Sequence, residues 1–177
     1  METNLETRWS NLNLSKKKFL DILTSWPSEK IQQQPAQGWS ASQVIEHILT
    51  SETGTLGYMK KKSSSGWETL EIAGLEQEKN SQALNTRLAS SERFRAPSVL
   101  PEPSNKFTLQ QLETTWSALR NELEEFLSGI DPIHFDKLVF RQPAAGMLNI
   151  TQTLEFLNNH IQHHIPQLNR IREELKF

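Results

Sequence analysis

Residues 150–175 read ITQTLEFLNNHIQHHIPQLNRIREEL, and this stretch decides the fold of the chain. Apolar residues recur in it at alternating spacings of four and three, the period of one face of an α-helix. The stripe consists of Ile150, Leu154, Leu157, Ile161, His164, Leu168, Ile171 and Leu175. Its only residue that is not aliphatic is His164. The pattern therefore predicts a long amphipathic helix that turns one imidazole toward the protein core.

Three further stretches have the same helical period. The first covers residues 4–26 and ends before Pro27, because proline cannot continue a helix hydrogen-bond ladder. The second follows a capping-box pattern at Ser40 and Gln43 and continues to about residue 60. The third follows another capping box, which begins at Thr108, and stops at Gly129. Each stretch predicts one amphipathic helix.

The segments between these helices predict connectors. Residues 61–107 are irregular, and the prolines between 97 and 103 exclude a long helix there, although a short helix over about residues 75–88 fits the leucine spacing. Residues 131–148 show no alternation of useful length, so no strand is expected in them. Four amphipathic helices can enclose a single core. We expect an all-α four-helix bundle, with a long irregular excursion between helices 2 and 3, as one domain over residues 1–177.

Composition excludes several classes of function. The chain has 177 residues, with 19 Lys and Arg against 21 Asp and Glu, and this balance offers no general attraction to nucleic acid. Short lysine runs at 16–18 and 60–62 are typical of solvated helix edges and ends. No apolar run is long enough to span a membrane, and the polar N-terminus does not resemble a secretory signal. We expect a cytoplasmic protein. With no cysteine, it has neither disulfides nor thiolate ligands.

Two of the five histidines have the spacing of a metal-binding pair. His160 and His164 lie one helical turn apart, with Cβ atoms roughly 5–6 Å from each other, so both rings can reach one ion. Such pairs also occur by chance on solvent-facing surfaces. His47, on the second helix, is the natural candidate for a third ligand, since two imidazoles rarely hold Zn²⁺ or Ni²⁺ against water. His134 lies in a connector, and His163 is expected to face a neighbouring helix or solvent.

Two motifs in this chain resemble those of the DinB-like (DinB/YfiT) superfamily. The first is Trp-Ser-x-x-Gln-x-x-x-His, from Trp39 to His47, and the second is His-x-x-His-His-x-x-Gln, from His160 to Gln167. The resemblance covers nearly the whole chain, including the loop with the sequence Arg-Ala-Pro at 95–97. It implies a four-helix bundle with a divalent metal held by three histidines, one from the second helix and two from the last.

Carried onto this chain, the resemblance implies that His47, His160 and His164 are the metal ligands. All three positions are intact. The small or basic residues usual between the last histidine and the glutamine are replaced by Ile165 and Pro166. This departure concerns the local helix geometry more than the ligand set. Zinc or nickel is the expected metal, and no organic cofactor is expected.

The resemblance implies an enzyme that activates a low-molecular-weight thiol, as an S-transferase does, or water, as a hydrolase does. The nucleophile would attack a small electrophilic substrate. Three neutral imidazoles leave a coordination position open, as in catalytic metal sites. The sequence identifies no separate catalytic base. On a helix, the side chain of Glu46 diverges by about 100° from that of His47, so it is not expected to face the same metal. Glu52 and Glu155 are expected to face solvent.

A second interpretation belongs to a different class of protein. The metal could be structural or vestigial in a non-catalytic bundle that acts as a binding or dimerisation module. Five tryptophans and eight phenylalanines provide ample apolar surface for such contacts. Under either interpretation, the resemblance favours a homodimer.

Overall fold

The computed structural model describes residues 2–90 and 101–177, and α-helices dominate this part of the chain. The helices are α1 (Glu2–Thr24), α2 (Ser28–Ile31), α3 (Ala41–Ser63), α4 (Leu75–Ala89), α5 (Leu109–Ser128) and α6 (Ile150–Leu175). A hairpin of β1 (Phe140–Gln142) and β2 (Gly146–Leu148) precedes α6. Short 3₁₀ turns occupy Trp67–Thr69 and Pro132–His134. None of the helices described is both long and apolar enough to cross a membrane.

Helices α1, α3, α5 and α6 form the predicted four-helix bundle. Helix α6 packs against α1 and α3, and α3 also packs against α5. The apolar stripe of α6 is buried from Ile150 to Ile171, and the ring of His164 is buried with it. Trp116 of α5 and Phe19 of α1 meet edge to face in the same core, with ring centroids 5.9 Å apart. Burial of these apolar stripes is the main source of stability for helices that would be marginal alone.

Both predicted capping boxes are present in the structure. The Oγ atom of Ser40 accepts from the backbone N–H of Gln43 at 3.1 Å, and Thr108 does the same for Gln111 at 3.3 Å. A third box, formed by Asn149 and Gln152, begins α6. Each box satisfies backbone N–H groups that have no partner inside the helix. These caps fix where α3, α5 and α6 start.

The excursion between α3 and α5 contains the short helix that leucine spacing predicts. It is α4, and it packs against α6 outside the bundle. Helix α3 itself continues to Ser63, about one turn further than expected. Residues 101–107 form no regular element. The Arg-Ala-Pro sequence at 95–97 lies outside the described residues.

The connector between α5 and α6 departs from the prediction, because it contains a hairpin. Phe140 pairs with Leu148 and Arg141 with Met147, and Gly146 takes a φ of +76° that favours glycine. Strands of three residues are too short to show an alternating pattern. The prediction that residues 131–148 contain no strand was therefore wrong. The hairpin matters for the site, because it places the Phe140 ring against Phe156 of α6.

Helix α6 continues as one helix through Pro166. Proline removes one backbone hydrogen bond in a helix interior. Pro166 is exposed, whereas Leu168 and Ile171 beyond it are buried in the core. Packing of the apolar face on both sides of the proline therefore holds the last turns in place. The presence of Ile165 and Pro166, in place of the small or basic residues usual in the family, therefore leaves the helix that carries the histidines intact.

Candidate metal centre

Three histidine rings from two helices converge at one point in the bundle. His47 comes from α3, and His160 and His164 come from α6; all three are buried. The Nε2 atom of His160 lies 3.1 Å from Nε2 of His47 and 3.1 Å from Nε2 of His164. Within residues 2–90 and 101–177, these rings form the one group of three or more potential metal ligands whose donor atoms all lie within 4.8 Å.

The protons available to these rings cannot satisfy their mutual contacts. Nδ1 of His164 donates to Oε1 of Gln167 at 2.8 Å, so Nε2 of that neutral ring carries a lone pair. His160 can donate its single Nε2 proton to His164, but it then cannot also accept from His47. A divalent cation would accept the lone pairs of all three rings. Nitrogens bound to one Zn²⁺ at 2.0–2.1 Å in tetrahedral geometry lie about 3.4 Å apart, close to the spacing seen here.

Burial keeps the three rings neutral. It lowers the pKa of His47 to about 4 and that of His164 to about 3. The pKa of His160 falls well below its ordinary value of 6.5, first through burial and then through repulsion from neighbouring histidines. Histidine binds metals in its neutral form. The cluster is therefore ready to bind a cation at neutral pH without first losing protons from imidazolium groups.

Each ring is held in place by a different contact. The ring of His47 packs against Trp39, with centroids 5.1 Å apart. His160 stacks on Phe156 at 5.7 Å with an interplanar angle of 15°. His164 is held by its hydrogen bond to Gln167. The Nδ1 atom of His160 is buried and has no hydrogen-bond partner among the described residues.

The first motif has a second role, which is to fasten residues 103–107 onto the start of α3. Nε2 of Gln43 donates to the carbonyl of Pro103 at 3.1 Å, and the carboxylate of Glu46 accepts from the backbone N–H groups of Ser104 at 2.7 Å and Asn105 at 2.8 Å. Glu46 therefore points to this segment, consistent with the prediction that it does not face the metal. Sequence reasoning missed this contact, because the spacing within α3 carries no information about residues sixty positions away.

The prediction for Glu52 was wrong. Its side chain is 2% exposed; Oε1 accepts from Nη2 of Arg120 at 2.7 Å and Oε2 from Nε1 of Trp116 at 3.0 Å. Burial raises the pKa of Glu52, and the charge of Arg120 opposes that rise. Helical geometry turns Glu52 about 140° away from His47, toward α5. Glu155 is half-buried and forms an ion pair with Arg8 at 3.0 Å.

The two remaining histidines lie outside the cluster. The Nδ1 atom of His163 lies 2.9 Å from the carbonyl oxygen of Leu88 in α4, which confirms that it faces a neighbouring helix. His134 stacks on Trp67, with ring centroids 5.6 Å apart and an interplanar angle of 8°. Their different surroundings separate them from the three converging rings, as the sequence predicted.

Comparison with known proteins identifies the family. Residues 11–168 match the model of the DinB superfamily. The chain belongs to the DinB superfamily. It is 25% identical to the uncharacterized protein YuaE of Bacillus subtilis (strain 168) over 150 residues, which are 84% of this chain and 86% of YuaE.

A solved structure supports the fold of this DinB-superfamily protein. YfiT from Bacillus subtilis, described as a probable metal-dependent hydrolase with an unusual four-helix bundle topology, matches with a TM-score of 0.63 and 13% identity. The match covers 98% of this chain and 88% of YfiT. At this identity the likeness confirms the four-helix bundle and carries no further conclusion.

Proposed function

We propose that this protein is a metal-dependent hydrolase whose divalent transition metal is bound by Nε2 of His47, His160 and His164. The convergence of these three neutral, buried nitrogens, with spacings of 3.1 Å, carries the proposal. Two predicted ligands come from α6 and the third from α3, so the folded bundle is needed to assemble the site. The description of YfiT as a probable metal-dependent hydrolase supports the same reaction class.

The donor set favours catalysis over a purely structural role. Three neutral imidazoles leave the double positive charge of the ion uncompensated and at least one coordination position open. A metal in such a site lowers the pKa of bound water, or of a bound thiol, toward neutrality. The protein's contribution is to hold three lone pairs in one place, with Trp39 and Phe156 packed beside two of the rings.

No carboxylate among the described residues joins the three-histidine group. The carboxylates of Glu46 and Glu52 are both committed, the first to Ser104 and Asn105 and the second to Arg120 and Trp116. Neither is free to act as a general base at the metal. In the proposed reaction, a metal held by His47, His160 and His164 would therefore supply the activation of the nucleophile.

An external thiol is the alternative nucleophile. The chain has no cysteine, so a thiol must come from a small molecule. The family resemblance implies a low-molecular-weight thiol such as bacillithiol or mycothiol. A soft thiolate also suits Zn²⁺ and Ni²⁺, the two metals we expect. This alternative uses the same three ligands and differs only in what occupies the open position.

A paired activity assay tests the proposal. Protein loaded with Zn²⁺ or Ni²⁺ is given a panel of activated esters and amides, with and without a low-molecular-weight thiol and an alkylating electrophile. Turnover of the esters or amides that requires the metal and is lost in His164→Ala supports the hydrolase. Turnover only with thiol and electrophile indicates the S-transferase. A metal that raises the melting temperature without any turnover would indicate a structural metal in a binding or dimerisation module.

Two further sequence-based predictions accompany this proposal. We expect a homodimer, and light scattering at several concentrations measures the mass directly. We also expect a cytoplasmic location, which cell fractionation tests. Neither expectation is needed for the chemistry, because both helices that carry the three histidines belong to one chain.

A further inference from the structure

We propose that Gln167 is a positioning residue that fixes the tautomer of His164 and thereby sets the affinity of the three-histidine site for its metal. The inference rests on the proposed function, because it assumes that Nε2 of His164 is a ligand. Its basis is the 2.8 Å contact between Oε1 of Gln167 and Nδ1 of His164, one helical turn apart on α6.

The chemistry of an amide oxygen determines which nitrogen of His164 carries the proton. An amide oxygen only accepts hydrogen bonds, so Nδ1 must donate and Nε2 must hold the lone pair. Nε2 is the atom that lies 3.1 Å from Nε2 of His160, in the cluster. If the amide were reversed, its N–H would donate to Nδ1, and the proton of His164 would occupy Nε2. That tautomer could not bind a metal through Nε2.

Among the described residues, the other two rings have no equivalent side-chain partner. The far nitrogen of His160 is buried without a hydrogen-bond partner in the described residues, and that ring is held by stacking on Phe156. The ring of His47 packs against the indole of Trp39. Stacking restrains the plane of a ring but does not select its tautomer. Selection of a tautomer by a side-chain hydrogen bond is therefore specific to His164 and Gln167, and the ring contacts of the other two histidines do not provide it.

A neutral amide at this position also has an electrostatic consequence. A carboxylate bonded to a ligating histidine raises the basicity of that ring and adds negative charge near the metal. Glutamine orients the ring without adding that charge. An ion bound here would therefore be a stronger Lewis acid than one whose histidine ligand is bonded to a carboxylate. Gln167→Glu keeps the acceptor and adds the charge, whereas Gln167→Leu removes the acceptor.

Two readouts test this role without any activity assay. The first is ¹⁵N NMR of the histidine rings in metal-free protein, which distinguishes the two neutral tautomers. The second is the Zn²⁺ dissociation constant, measured by competition with a chromophoric chelator. Gln162→Leu is the matched control, because its amide lies on the same helix but bonds to Ser15 of α1 and to Asn158.

In the wild type we expect His164 to carry its proton on Nδ1. Gln167→Leu should mix the tautomers and weaken Zn²⁺ binding by about 10–100-fold, the usual cost of losing such an outer contact. Gln167→Glu should bind Zn²⁺ at least as tightly as the wild type does. The control Gln162→Leu should bind Zn²⁺ with the wild-type affinity. If Gln167 had only a structural role, its replacement by leucine would leave the tautomer of His164 unchanged.

Two results would overturn the inference. One is a wild-type His164 with its proton on Nε2, and the other is Zn²⁺ binding by folded Gln167→Leu that equals the wild type. Gln167→Met provides a second variant without an acceptor if the leucine variant is poorly folded. Failure of the wild type to bind Zn²⁺ would instead refute the proposed metal site. The NMR measurement on metal-free protein still decides the tautomer in that case.

Discussion

Two buried polar clusters share helix α3 and differ in how their groups are satisfied. Glu52 pairs with Arg120 and Trp116 of α5, so its charge is balanced within the chain, although Nε and Nη1 of Arg120 have no partner among the described residues. His47 instead meets two other neutral bases, and these rings have too few protons to satisfy one another. The comparison teaches that a buried polar cluster whose charges balance within the chain is not in itself a site. Converging lone pairs that only a cation can satisfy indicate one.

The largest expected effect on stability comes from breaking the ion pair. Glu52→Ala leaves the charge of Arg120 buried without compensation, which should lower the free energy of unfolding by about 3–5 kcal/mol. Urea titration measures the loss. The double variant Glu52→Leu/Arg120→Met should recover most of it, because it removes both charges. A loss below about 1 kcal/mol, in the range of exposed pairs, would show that the pair is not buried in solution.

Acid should destabilise the histidine cluster. Its folded-state pKa values lie below the unfolded value of 6.5, so the unfolded chain binds more protons as the pH falls. Stability contributed by these rings is therefore present above about pH 7 and lost as the pH falls toward their folded pKa values. For His47, with a folded pKa of about 4, the loss amounts to about 3 kcal/mol.

Urea titrations at several pH values, on metal-free wild type and His47→Asn, measure this dependence. The difference between the two proteins isolates the contribution of His47 from that of Glu52, whose raised pKa acts with the opposite sign. The wild type should lose more stability than the variant between about pH 7 and pH 5. Parallel pH profiles for both proteins would contradict the buried, neutral state of His47.

Metal addition should stabilise one cluster and leave the other unaffected. Zn²⁺ at about 100 times its dissociation constant should add about 2.7 kcal/mol to the free energy of unfolding of the wild type. Glu52→Gln should show the same gain, because it leaves the three rings unchanged, and His164→Ala should show none. Calorimetric melting with and without Zn²⁺ provides the measurement. An equal gain in His164→Ala would place the bound ion elsewhere.

The smallest expected effect concerns the helix that links the clusters. Ser40→Ala removes the cap of α3 and should cost about 1 kcal/mol. The loss of local stability should be greater at His47, near the capped end, than at Glu52. Hydrogen exchange should therefore speed up in the turn around residues 43–47 and remain unchanged around residues 52–56. Uniform acceleration along α3 would show that the cap does not act locally.

The sequence predicted the elements whose signals are local. The alternation of four and three in α6 placed His164 in the core, and the serine and threonine caps located the starts of α3 and α5. Its place on the second helix made His47 the natural candidate for a third ligand, and the family motifs implied the same three residues. The structure brings the three rings together, and their role as metal ligands stays a proposal.

The features that sequence reasoning missed depend on contacts between distant segments. Glu52 resembles any helical glutamate until Arg120, sixty-eight positions away, is placed beside it. The attachment of residues 103–107 to Gln43 and Glu46 has the same character. The hairpin at 140–148 escaped detection because its three-residue strands are shorter than any useful period.

Metal content tests the central claim most directly. Untagged protein purified without chelator is measured by mass spectrometry beside His47→Ala and the control Glu52→Gln. We predict about one equivalent of transition metal in the wild type and the control, and none in His47→Ala, because three ligands are needed to hold the ion. No metal in the wild type, even after incubation with Zn²⁺ or Ni²⁺, would contradict the account, as would equal retention by His47→Ala.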